Sequence, residues 1–112
     1  MVEFTKIQRI SLTEYVRLFE ADVKMQISKR RSYWYHLIKH NNLKCPISKE
    51  IVCYCRLDNH IINNTKHYNF YSGNDIFFTI DHIIPKSKGG IDSIENIQPM
   101  IAVENFKKSN NI

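Results

Sequence analysis

Glycine and proline are scarce, three of each in 112 residues, and 12% of the chain is aromatic. That balance excludes collagen-like, mucin-like and disordered chains. Long apolar runs are missing too. Runs such as Ile76-Phe77-Phe78 fall far short of the roughly 20 residues that cross a bilayer. The three cysteines are an odd number, which argues against a secreted disulfide framework. The opening Met1-Val2-Glu3-Phe4-Thr5-Lys6 lacks the basic-then-apolar layout of a secretory signal. These absences predict an intracellular protein with no membrane segment. What remains is ordinary globular composition, 43% hydrophobic and 24% charged. Residues 1–112 are read as one domain, with a basic helical region over 1–44 and a β-rich region over 45–112.

Acidic residues are sparse where basic ones gather. The net charge is +5 with neutral histidines, and residues 1–44 alone carry nine bases against four acids. Lys24, Lys29, Arg30 and Arg31 follow one another without an intervening acid. Such a stretch attracts a polyanion and raises its encounter rate. A solvated helix face has the same composition, and charge alone leaves both readings open.

Ser11-Leu12-Thr13-Glu14 has the spacing of a capping box. Apolar residues recur at Leu12, Tyr15, Val16, Phe19, Val23 and Ile27, which predicts a helix from about Leu12 to Ile27. A second helix, continuous with the first or not, carries Trp34, Leu37 and Ile38 and ends near Asn41-Asn42. Tyr33, Trp34 and Tyr35 are read as core, with base stacking as the alternative. After Lys44, Cys45-Pro46-Ile47-Ser48 reads as a turn and Ile51 to Cys55 as a strand. The polar stretch Asn59 to Asn74 reads as loop, including His60 and His67, with a turn at Gly73-Asn74. Asp75 to Ile84 is the next predicted strand, stopped by Pro85. Ile97-Gln98 can form a short return strand. Pro99 suits the first turn of a last helix carrying Met100 or Ile101, Val103 and Phe106.

The chemistry concentrates in Asp81-His82-Ile83-Ile84-Pro85-Lys86-Ser87-Lys88-Gly89-Gly90, followed by Asn96 and Asn105. A carboxylate and an imidazole stand at the end of an apolar strand, and a helix brings an amide oxygen back towards them. Few oxygen ligands with room for water and phosphate suit Mg²⁺. Strand alternation nonetheless sends Asp81 and His82 to opposite sides unless the strand bends. Spacing by itself does not resolve that conflict.

Asp81-His82-Ile83-Ile84-Pro85, Gly89-Gly90, Asn96 and Asn105-Phe106-Lys107-Lys108 together resemble the signature of the HNH endonucleases, a branch of the ββα-metal (His-Me finger) nucleases. The resemblance covers about residues 76–109, with a weaker echo from Cys45. It is to the H-N-N variant, with Asn105 where many members carry a third histidine. It implies an α+β fold, with amino-terminal helices packed on a small antiparallel sheet and a carboxy-terminal ββα-metal motif. It also implies metal-dependent hydrolysis of DNA phosphodiester bonds, by nicking or double-strand cleavage.

In that scheme His82 is the general base and Asn96 holds the His82 loop. Asp81 and Asn105 bind one Mg²⁺ or Mn²⁺ that stabilises the leaving 3′-oxygen. Lys86, Lys88, Lys107 and Lys108, together with Lys29, Arg30 and Arg31, are the expected nucleic-acid contacts; for any one of the four lysines alone a solvated surface charge is the preferred reading, and for the amino-terminal patch both readings stay open. DNA is the implied partner, and a chain this short would need a homodimer or a partner protein to read a long site. The alternative is a nucleic-acid-binding module that keeps the fold with little catalysis.

Many relatives pin this motif with zinc on two C-x-x-C pairs. Here Ser48, Ile101 and Glu104 stand at three of those four places, so structural zinc of that kind is not expected. Cys45, Cys53 and Cys55 with His60 or His40 keep an unusual Cys₃His site open, since alternation puts Cys53 and Cys55 on one strand face. Inert thiols are the preferred reading.

Overall fold

Hydrogen bonding between successive strands organises the chain. In the computed structural model, residues 4–22, 27–62 and 64–110 are described. Strands β1 (Phe4–Ile10), β2 (Val52–His60), β3 (Thr65–Ser72), β4 (Phe77–His82) and β5 (Ile97–Ile101) lie in chain order, each antiparallel to the next. Helices α1 (Leu12–Ala21) and α2 (Lys29–Lys39) fall between β1 and β2, and α3 (Ala102–Asn110) follows β5. The architecture is α+β. No helix among the described residues is long and apolar enough to cross a membrane.

Ser11 caps α1 as expected, its hydroxyl accepting the Glu14 N–H at 3.0 Å. The reciprocal half of the capping box is not used, because the Glu14 carboxylate holds Arg17 instead. The helix stops at Ala21 rather than running to Ile27. Val23 and Lys24 lie outside the described residues. A second cap, Ser28 accepting from Arg31 N–H at 3.3 Å, starts α2 afresh. Asn41, at φ 53°, takes the left-handed conformation that ends α2.

The core joins these helices to the sheet. Trp34 is fully buried and stacks on Phe70 of β3 at 4.4 Å, while Tyr15 meets Phe70 edge-on at 4.9 Å. Trp34 is therefore unavailable to a base, and the core reading holds for it. Tyr35 stacks on Phe19 at 4.2 Å and donates its hydroxyl to Glu20.

Two strands depart from the sequence reading. β1 was not foreseen, and β3 occupies much of what reads as a polar loop. β1 is an exposed edge, with Lys6 and Arg9 along it and a bulge between Lys6 and Gln8 that blunts further pairing. In β3, alternation sends Tyr68 and Phe70 to the helix-covered side. Asn69 and Tyr71 turn to the other side, where the buried Asp58 accepts from Asn69 Nδ2 (2.8 Å), Arg56 Nε (2.9 Å) and Tyr71 Oη (3.2 Å). Paired polar side chains, rather than apolar ones, make this strand look like loop in sequence.

Between β3 and β4 the ladder is short, with pairs at Phe70–Phe78 and Tyr71–Phe77 and no further pair among the described residues. Arg30 reaches in from α2 at this split, donating to the Tyr68 carbonyl at 2.6 Å and to Asn69 Oδ1 at 3.2 Å. An unsatisfied carbonyl here would cost about 1–3 kcal/mol.

Pro99 also departs from expectation. It stands in β5 opposite Ile80, not in a helix. β5 is an edge strand, where a residue without an N–H is tolerated. Met100 and Ile101 consequently belong to the strand and are buried, and α3 turns Val103 and Phe106 outward, Phe106 being 68% exposed. The expected apolar stripe on that helix is absent at those two positions.

Candidate active site

The carboxy-terminal half runs β4, a loop with two short 3₁₀ turns (Lys86–Lys88 and Ile94–Asn96), β5 and α3. The pairing Asp81↔Gln98 and His82↔Ile97 fixes β4 against β5 up to the last strand residue. Beyond it the loop is held by Asn96. Its Oδ1 accepts the Ile84 N–H at 2.9 Å, and its Nδ2 donates to the carbonyls of Ile84 (3.0 Å) and Ile91 (2.8 Å). The two glycines have separate steric reasons. Gly89 has φ 89°, which disfavours any side chain, and a Cβ on Gly90 would lie 1.7 Å from the Ile84 carbonyl oxygen. The loop thus folds tightly back on the end of β4.

Strand alternation holds at Asp81 and His82, which turn to different neighbours. Asp81 is buried and faces α3 and β5. Its Oδ2 accepts from Lys108 Nζ at 2.7 Å and from Gln98 Nε2 at 2.9 Å. Asn105, one turn before Lys108 on α3, donates from Nδ2 to Thr79 Oγ1 at 2.7 Å and more weakly to the Ile80 carbonyl at 3.4 Å. Thr79 and Asp81 share a strand face, so Asn105 stands on the Asp81 side. The same Lys108 ammonium also donates to the carbonyl of His82 (2.9 Å) and, more weakly, of Ile83 (3.3 Å). Three oxygens from adjacent residues thus already surround one positive charge.

His82 looks towards α2. Its Nε2 lies 3.0 Å from Asp92 Oδ1, which also accepts from Tyr33 Oη at 2.6 Å. The other oxygen of Asp92 takes Lys29 Nζ at 2.5 Å, with Lys86 Nζ at 3.4 Å. Hydrogen bonds from Lys29 first, then Tyr33 and His82, hold the Asp92 carboxyl well below the usual carboxylate range. The Tyr33 hydroxyl is pushed up to about 12, by burial and by this carboxylate.

Although they face apart, Asp81 and His82 border one cleft of about 260 Å³, together with Asn105, Lys86, Lys108 and Pro85. A second cleft of about 300 Å³ lies on the other side of His82, against Lys29, Arg30, Tyr33, Lys86 and Asp92. The imidazole forms part of both walls.

The residues named as nucleic-acid contacts are dispersed. Lys86 and Lys88 stand exposed on the loop, and Lys107 is exposed beside Glu104. Lys108 is drawn into the Asp81 cleft. Lys29 is exposed at one end of its link to Asp92. Arg30 is engaged in the sheet split, and Arg31 pairs with Asp22 at 3.5 Å with its guanidinium 5.0 Å from the Tyr68 ring. Asp92, Tyr33 and Gln98 were missed by the sequence reading. Asp92 is the sole acid between Asp81 and Glu95, a signal that marks it only once the loop is known to fold back on His82.

The cysteines do not gather. A register shift between Val52 and Tyr54 breaks the alternation on which a shared face relied, leaving Cys53 exposed and Cys55 buried. Burial pushes the Cys55 thiol up to about 12. Burial would raise Cys45 too, but hydrogen bonds from the Ser48 side chain and from the backbone at Ser48, Ile101 and Ile47 bring it below its ordinary value. Ser48 and Ile101, two positions that lack the knuckle cysteines, therefore satisfy the remaining one. Among the described residues no group of three or more His, Cys, Asp or Glu side chains could hold a metal ion.

Residues 53–101 match the family model described as HNH endonuclease. The matched stretch runs from β2 through β5, includes Asp81, His82 and Asn96, and ends before Asn105. Over these residues the chain is similar to the HNH endonucleases, which act on DNA and generally use divalent metals. Neither the curated proteins nor the solved structures yield a match.

Proposed function

We propose that this protein is a divalent-metal-dependent endonuclease that hydrolyses DNA phosphodiester bonds, with residues 77–110 acting as a ββα-metal motif. The observation that carries the reading is the cleft where Asp81, His82 and Asn105 border one space, lined also by Lys86 and Lys108. His82 takes a proton from the attacking water. The water oxygen forms the new P–O bond while the bond to the 3′-oxygen breaks, and that oxygen takes a proton from solvent water, leaving 5′-phosphate and 3′-hydroxyl ends. An imidazole suits this role, because a bare ring nitrogen can accept a proton from a water within hydrogen-bond reach.

The donor set fits a hard divalent cation. Asp81 offers a carboxylate, Asn105 an amide oxygen not engaged by its two Nδ2 bonds, and a lysine ammonium already sits against Asp81 as a cation would. Two protein oxygens leave coordination places for water and phosphate, as Mg²⁺ and Mn²⁺ require. When bound, such an ion supplies electrostatic stabilisation of the charge that develops on the departing oxygen. Asn96 keeps the His82 loop in shape through its bonds to Ile84 and Ile91. Lys86, Lys88 and Lys107 would grip flanking phosphates, where positive charge sets register rather than sequence preference, while the Lys29 ammonium is taken up by Asp92.

Supercoiled plasmid incubated with the protein and Mg²⁺ or Mn²⁺ tests this. Nicked or linear product is expected, and it should disappear with chelator. In the His82→Ala variant the rate should fall about 10²–10⁴-fold with DNA affinity retained. Full activity in that variant would overturn the assignment.

A further inference from the structure

We propose that Asp92 is a positioning residue for His82, holding the imidazole as the Nε2–H tautomer with Nδ1 free to accept a proton, and that α2 fixes Asp92 in place through Lys29 and Tyr33. The inference rests on the reading of His82 as the general base.

Asp92 belongs to the loop between Gly90 and β5, where a lone surface carboxylate would rotate freely. Here both of its oxygens are engaged. Oδ1 is shared by Tyr33 Oη (2.6 Å) and His82 Nε2 (3.0 Å), and Oδ2 by Lys29 Nζ (2.5 Å) and Lys86 Nζ (3.4 Å). An ionised carboxylate only accepts hydrogen bonds, so the ring nitrogen facing it must carry the hydrogen. A neutral imidazole has one N–H, and placing it on Nε2 leaves Nδ1 bare. When Nδ1 takes the proton from water, the Nε2 proton stays where it is and the resulting imidazolium lies against a negative charge. Two of the four donors come from α2, so the amino-terminal helical region takes part in setting the base and is more than a DNA-gripping surface.

The test is the Asp92→Asn variant, which keeps the size of the side chain but can present an N–H to Nε2 and so favour the wrong tautomer. ¹⁵N NMR of the His82 ring, without DNA or metal, should change from the Nε2–H form to a mixture or to Nδ1–H. With plasmid and Mg²⁺, kcat should fall about 100-fold while KM and DNA affinity stay within about twofold. Tyr33→Phe, which removes one donor and alters neither charge nor ring packing, should shift the same NMR signals partway and lower kcat about threefold. An unchanged His82 tautomer in both variants overturns the proposal, whatever happens to activity. If wild-type protein cleaves nothing while the tautomer still follows Asp92, the nuclease reading fails and the Asp92–His82 coupling stands.

Discussion

Asp58 and Asp81 are both buried carboxylates on one sheet, and they are held in different ways. Asp58 is 0% exposed and takes its hydrogen bonds from Arg56, Asn69 and Tyr71, all on β2 or β3. Asp81 is 6% exposed, takes one bond from β5 and another from the ammonium of Lys108 on α3, and borders a cleft. The first carboxylate is closed by donors that the sheet itself fixes. The second is closed by Gln98 on β5 and by an ammonium on a flexible four-carbon stem, whose place the proposed divalent cation would take. Burial is common to both carboxylates; what differs is that one of the donors to Asp81 lies outside the sheet, on α3.

The sharpest way to break that contrast is a pair of substitutions. Asp81→Asn should lower cleavage at least about 10³-fold, with stability changed by about 1 kcal/mol or less because Lys108 regains water. Asp58→Ala should instead cost roughly 3 kcal/mol in chemical denaturation, leaving Arg56 and Asn69 short of a buried partner, while activity per folded molecule stays within about twofold. Equal losses of activity from the two would erase the distinction.

A smaller effect separates the basic residues in the same terms. Arg30→Met should destabilise the protein by roughly 2 kcal/mol, since Tyr68 O and Asn69 Oδ1 lose their donor. Lys107→Gln should move stability by less than about 0.5 kcal/mol yet reduce the salt dependence of DNA binding by about one unit of slope. A normal melting curve for Arg30→Met would return Arg30 to the DNA-binding surface.

The smallest perturbation is chemical. A maleimide added to native protein at neutral pH should label Cys53 alone, because Cys45 is buried and Cys55 is buried with its thiol pushed up to about 12. Mass spectrometry should find all three labelled in denaturant, and native labelling of Cys55 would contradict the bulge that separates it from Cys53.

Much of the local structure was legible in the residues. The Ser11 cap, the turn at Gly73-Asn74, the strand through Phe77–Ile80 and the break at Pro85 all follow from chemistry within a few positions. β1 and β3 were not legible, because β1 is an exposed polar edge and β3 places polar residues on both exposed and buried sites. Pro99 misled for a related reason: a missing N–H suits a helix start and an edge strand equally, and only the pairing with Ile80 decides.

The residue types proposed for phosphodiester chemistry, their order, and the glycines and Asn96 that shape the loop were determined by the chain itself, since each depends on backbone sterics or on bonding close in sequence. Which side each candidate site residue faces, and what holds it there, was decided by tertiary structure. Asp92 meets Lys29 and Tyr33 across more than fifty residues, and Lys108 meets Asp81 only because α3 returns along β4. Directed contacts of that range depend on the geometry of the whole sheet, which no window of sequence contains.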